Sequence, residues 1–124
     1  MSIIVTDAGF APDRFDGAAV DLAPDAAPSG LKALAESAPD MVRIAFPSFA
    51  DGRGFTLARL LRLHGYAGRL RASGHVIADQ YAMARRAGFD EVEIDEALAA
   101  RQPEDQWLAR ADWERFDHQE ALRA

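Results

Sequence analysis

Residues 41–94 read MVRIAFPSFADGRGFTLARLLRLHGYAGRLRASGHVIADQYAMARRAGFDEVEI. Three short runs, 41–46, 69–72 and 91–94, have the length and composition of strands. The segments between them change period. Leu57, Leu60, Leu61 and His64 fall at i, i+3, i+4 and i+7, one face of a helix. Ile77, Tyr81, Ala84 and Gly88 lie along one side of a second helix after the second strand. Pro47 ends the first strand, Gly65 stops the first helix and Gly88 ends the second, with Phe89 placed to fold back. Strands joined through helices pair in parallel, with right-handed crossovers. The reading is an α/β fold: one domain over 1–124, a parallel or mixed sheet from consecutive βαβ units, with helices packed on it. Residues 41–94 are its heart. Rossmann-like layering and a piece of a (β/α) barrel both satisfy the pattern, whereas a whole barrel takes ~250 residues.

Outward from this heart the signals are shorter. Ile3, Ile4 and Val5 mark a first strand, 7–17 read as turn-rich through Gly9, Pro12 and Gly17, and 18–22 make a second short strand at an edge. Residues 24–30 form a connector. Leu31, Leu34, Ala35 and Ala38 then recur at helical spacing, with Ser29 as the expected N-cap and Pro39 as the stop. Asp95 can cap a short helix after the third central strand. Residues 103–124 suggest terminal helices through Trp107, Leu108, Ala111, Phe116 and Leu122. Trp107 and Trp113 do not share a close side, so they are either two lids on the core or one lid and one partner contact.

Composition narrows the classes. A chain of 124 residues, 49% hydrophobic and 27% charged, can bury a single core. No cysteine is present, which excludes disulfides, thiolate nucleophiles and cysteine-held zinc or iron–sulfur sites. No apolar run approaches the ~20 residues of a membrane span. The first ten residues lack a secretory pattern. A cytoplasmic protein is expected, with no membrane partner. Between 41 and 89 eight arginines face two aspartates, a local charge of +6. The remainder carries six basic and 18 acidic residues, or −12. The basic middle can attract an anion or balance acidic neighbours within the fold. With a net charge of −6 and no recognition motif, no nucleic-acid partner is expected.

Ligands of open parallel α/β sheets sit beyond the carboxyl ends of the strands. That rim holds 47–54, 73–75 and 94–95. In the first loop two glycines flank Arg53 before a helix start, where Asp51, Arg53 and Thr56 can bind sulfate, phosphate or carboxylate. The same residues also read as plain turn chemistry, with Asp51 opening the turn and Thr56 capping the helix. His75 stands at the start of the next helix, where an imidazole can move a proton near neutral pH. Asp79, four residues on, can orient it or pair with Arg85 or Arg86. Arg71 and Gln80 complete the ligand-binding candidates. Glu91 and Glu93 share a strand face and read as solvated strand-edge acids. His64 reads as structural. Histidines 64, 75 and 118 form no HExxH or HxH pair, so no metal site is expected. Neither a Walker loop nor a GxGxxG fingerprint occurs, and no cofactor is expected.

One combined pattern goes further. The run 51–62, DGRGFTLARLLR, with HGY at 64–66, GRLRA at 68–72, Gly74, Val76, Asp79-Gln80, Arg85-Arg86 and GFD at 88–90, resembles an uncharacterised bacterial family. That family is a domain of unknown function described as an oxidoreductase involved in sulfite reduction. The resemblance is good over about 41–94 and looser at both ends. It implies an accessory or oxidoreductase-linked role in assimilatory sulfite reduction, with sulfite-reduction enzymes or a small oxyanion as partners. The family usually has an acidic residue where His75 stands and often a cysteine where Ala87 stands, so no thiol chemistry carries over. Two other readings stand beside it. One is a small enzyme acting on a phosphorylated or carboxylated metabolite through His75 or Asp79. The other is a homo-oligomeric assembly module using the Trp107/Trp113 region and the arginine-rich helices.

Overall fold

The computed structural model describes residues 2–113. The expectations on Phe116, His118 and Leu122 lie outside them. The chain runs β1 (Ser2–Thr6), β2 (Gly9–Pro12), β3 (Ala19–Leu22), α1 (Leu31–Ser37), β4 (Met41–Phe46), α2 (Arg53–Leu63), β5 (Arg69–Gly74), α3 (Tyr81–Ala87), β6 (Glu91–Asp95), α4 (Glu96–Arg101) and α5 (Glu104–Leu108). Short 3-10 turns at Pro28–Gly30 and Ala78–Gln80 lead into α1 and α3.

Six strands make one mixed sheet in the order β2-β1-β6-β5-β4-β3. β3, β4, β5 and β6 run parallel, and β1 joins β6 antiparallel. The four parallel strands are neighbours in sequence order. Right-handed crossovers therefore place α1, α2 and α3 on the same face. The winding is single, as in a barrel segment, and has no reversal of the Rossmann kind. The expected turn-rich stretch 7–17 holds a strand instead: β2 pairs with β1 through Ile3–Pro12 to Thr6–Gly9, a hairpin whose pairing partner lies too near for alternation to reveal it.

Alternation then assigns the two faces. Val42, Ile44 and Phe46, Leu70 and Ala72, Val92 and Ile94, and Val5 point to the helices and are buried with Leu57, Leu61, Tyr81, Ala84, Leu98 and Trp107. Burying each large side chain contributes roughly 1.5–3 kcal/mol. His64 departs from the expected stripe: it caps α2 with an exposed side chain, because the buried run ends at Leu61. Ser29 caps nothing by its side chain, since the 3-10 turn leaves Gly30 in the N-cap position of α1. Asp95 does cap α4, accepting the Leu98 N–H at 2.7 Å. Gly88, at φ +115°, ends α3, and the Phe89 N–H bonds back to the Ala84 carbonyl at 3.0 Å.

The opposite face carries charge. Registers Asp21–Arg43, Arg43–Arg71 and Arg71–Glu91 line up one row across four strands. Arg71 is 1% exposed. Its guanidinium meets Glu91 at 2.6 Å, Glu93 at 2.8 Å and Asp13 at 3.0 Å. Phe15 lies over Arg69 and Arg71, so the segment between β2 and β3 covers this part of the sheet. Glu91 and Glu93 are therefore not solvated edge acids. The hairpin makes β6 an interior strand, and both carboxylates are held by arginines.

Candidate functional site

The carboxyl ends of β4, β5 and β6 share one rim, because these strands are parallel and adjacent. The rim is pinned at one point. The His75 N–H donates to the Phe46 carbonyl at 2.8 Å. Gly74 sits at φ +121°, and a Cβ there would stand 2.5 Å from that same carbonyl oxygen. Gly54 is required for packing, not for a ligand: a Cβ would stand 2.5 Å from the Phe46 ring. Phe46 in turn meets Phe55 and Phe89 with centroids 4.9 and 5.8 Å apart. The glycine–arginine–glycine run thus places the first turn of α2 directly on the aromatic core.

Two cavities open along this rim. One, of about 290 Å³, is lined by Phe49 from the loop after β4, His75 and Ile77 from the loop after β5, and Leu98, Arg101 and Gln102 from α4 and its end. The other, of about 420 Å³, lies between 24–28 and the start of α2 and takes in Arg53, Thr56 and Leu57. Phe49 and Arg53 leave the same loop for different cavities.

The expected site residues separate accordingly. Arg53 is engaged by Asp51 through Nε at 3.0 Å and Nη2 at 2.8 Å, and its backbone N–H meets the same carboxylate at 3.2 Å. Those hydrogen bonds hold the Asp51 carboxyl below its usual pKa. Thr56 lies inside α2 and caps nothing; Gly52 holds the cap position. Arg71 is remote from both cavities, on the charged face in mid-strand. Burial disfavours its charge, and hydrogen bonds to Asp13 and Glu93 outweigh that. Asp79 is bonded to Arg110 and does not serve His75, Arg85 or Arg86. Gln80 braces the rim: its Oε1 accepts the Ile77 N–H at 3.1 Å and its amide donates to the Phe49 carbonyl at 2.7 Å. Of the seven candidates, only His75 lines the smaller cavity.

Sequence reading missed Arg101. It ends α4, three residues after Leu98, and turns with it toward the cavity. Its guanidinium has no hydrogen bond or ion pair with the described residues. Beside it, Gln102 accepts the Ala78 N–H at 2.6 Å and its carbonyl accepts the Trp107 indole at 2.9 Å. The cavity wall is thus fixed to the core, while its cation is unpaired. Both indoles have partners within the chain: Trp107 is buried on Tyr81, and Trp113 stacks on Arg85 and donates to Asp7.

A family model described as "Bacterial protein of unknown function (DUF934)" matches residues 19–122. The chain belongs to the DUF934 family. No curated protein and no solved structure matches it. In this DUF934 chain the matched stretch takes in all four parallel strands, both rim cavities and the helices over them. The β1–β2 hairpin, with Asp7 and Asp13, precedes it. Among the described residues no helix is long and apolar enough to cross a membrane, and no three His, Asp or Glu side chains are grouped to hold a metal ion.

Proposed function

We propose that this DUF934 protein is an accessory component of assimilatory sulfite reduction, one that holds a small oxyanion at the rim and docks on a reductase. The observation that carries the anion reading is the 290 Å³ cavity beyond the ends of parallel strands, lined by both His75 and Arg101, whose guanidinium has no partner among the described residues. A planar guanidinium with free N–H groups suits sulfite or sulfate. Arg53 is a weaker anchor because Asp51 already occupies it. The sulfur connection rests on the sequence resemblance. Without cysteine the chain has no thiol to carry electrons, which favours a helper over an independent reductase.

Calorimetry with sulfite and sulfate tests the anion site. Each should bind, and Arg101→Ala should weaken binding roughly 10- to 100-fold, the worth of one charge-assisted contact. Heat unchanged by that substitution removes the site. Affinity capture with a sulfite reductase tests the docking, and a clean failure to associate removes the accessory role.

His75 carries the small-enzyme reading, since it lines the same cavity as Arg101. Asp79 no longer supports it, being engaged by Arg110. That reading requires turnover of a phosphorylated or carboxylated compound that His75→Ala abolishes.

A further inference from the structure

The cavity is large for the ion assigned to it. At about 290 Å³ it exceeds by nearly tenfold the ~30 Å³ share of one water, and a four- or five-atom oxyanion leaves most of it unfilled. Its remaining walls are apolar: Phe49, Ile77 and Leu98. Among the described residues Phe49 is the one phenylalanine that stays exposed, at 59%, and its ring has no aromatic or cationic partner. This exposure does not come from a slack loop. The Phe49 carbonyl is held by Gln80, the Ala50 N–H meets the Ser48 hydroxyl at 3.2 Å, and the Asp51 N–H meets the Ser48 carbonyl at 3.0 Å. An exposed aromatic residue on a braced loop thereby lines the same cavity as a guanidinium that has no partner among the described residues.

Resting on the anion reading above, we infer that the physiological ligand is a planar ring bearing an anionic group, of mononucleotide size. The ring stacks on Phe49 with Ile77 and Leu98 beneath it. The anion reaches Arg101 and His75. Stacking on an aromatic side chain tolerates any base, because every base offers a π-face. Gln102, committed to the Ala78 N–H, is left to shape the wall.

The test compares adenosine 5′-monophosphate and cytidine 5′-monophosphate with ribose 5-phosphate and sulfate, by calorimetry on the full chain. The nucleotides should bind at least tenfold more tightly than ribose 5-phosphate. Phe49→Ala should erase that difference, and Phe49→Tyr should keep it. As Phe49 is mostly exposed, the alanine variant should melt like the parent. Equal binding of nucleotides and ribose 5-phosphate, or a Phe49→Ala variant that still discriminates, overturns the ring while leaving the anion site standing. Silence from every probe, sulfate included, overturns both.

Discussion

Replacing Arg71 with methionine removes a buried cation and leaves three carboxylates around its place. The loss can be worked contact by contact. Glu91, whose side chain is 5% exposed, keeps Arg69 at 2.6 Å but loses its 2.6 Å bond to Arg71. Glu93 keeps Arg43 at 3.3 Å and loses the shorter 2.8 Å contact. Asp13 loses its guanidinium, and with it one anchor of the segment over the sheet. Breaking one side of a buried pair costs about 3–5 kcal/mol, because the other charge is left without compensation. Whole domains are stable by about 5–15 kcal/mol, so the variant folds but with little reserve. With a urea slope near 2 kcal/mol/M, the midpoint should fall by about 1.5–2.5 M. Urea melts followed by circular dichroism read this directly. The pair Arg71→Met with Glu91→Leu should recover part of the loss, since an apolar pair can replace a buried ionic one. Sulfate affinity of the folded Arg71→Met variant should match the parent. A midpoint within ~0.3 M of the parent, together with lost anion binding, would refute the account and return Arg71 to the ligand-binding residues.

Three further outcomes follow from the same geometry. Gly74→Ala should cost at least about 2 kcal/mol in a thermal or urea melt, because its φ is positive and a backbone oxygen blocks the new methyl. Asp95→Ala should cost about 1 kcal/mol through loss of the α4 cap, visible as a lower melting temperature. Stability should also fall in acid. Arg71 hydrogen bonds hold Asp13 below its ordinary value, Arg43 does so for Asp21, and at Asp7 burial acts upward but bonds from Tyr81, Arg85 and Trp113 prevail. Carboxyls depressed in the fold stabilise it above their unfolded pKa of 3.8 and lose that effect as pH falls through the folded values. Urea midpoints should therefore be level from about pH 7 to 5 and decline below about pH 4; a profile flat to pH 2.5 contradicts this.

What the sequence disclosed was local. The strand–helix period of 41–94, the stop at Gly88 with Phe89 turned back, and the Asp95 cap depend on neighbours within a few residues. What it concealed depends on remote pairing. Whether Glu91 is solvated or buried turns on β1, some ninety residues earlier, lying beside β6. The arginines at 43, 69 and 71 could attract an anion or balance acidic neighbours, and only the strand register, which sets them against Asp21, Glu91 and Glu93, decides for the second. At the rim, His75 was legible because it follows a strand. Arg101 was not, because only the packing of α4 decides where the end of a short helix points.

The β1–β2 hairpin limits how this architecture can grow. It borders the last parallel strand with chain running the opposite way, so a further helix-linked unit cannot be appended past β6 without evicting it. At its outer tip Pro12 has no N–H to offer an incoming strand. Enlargement, whether by insertion, fusion or strand exchange, is thereby steered to the far border of the sheet, where β3 has no neighbouring strand beyond it among the described residues.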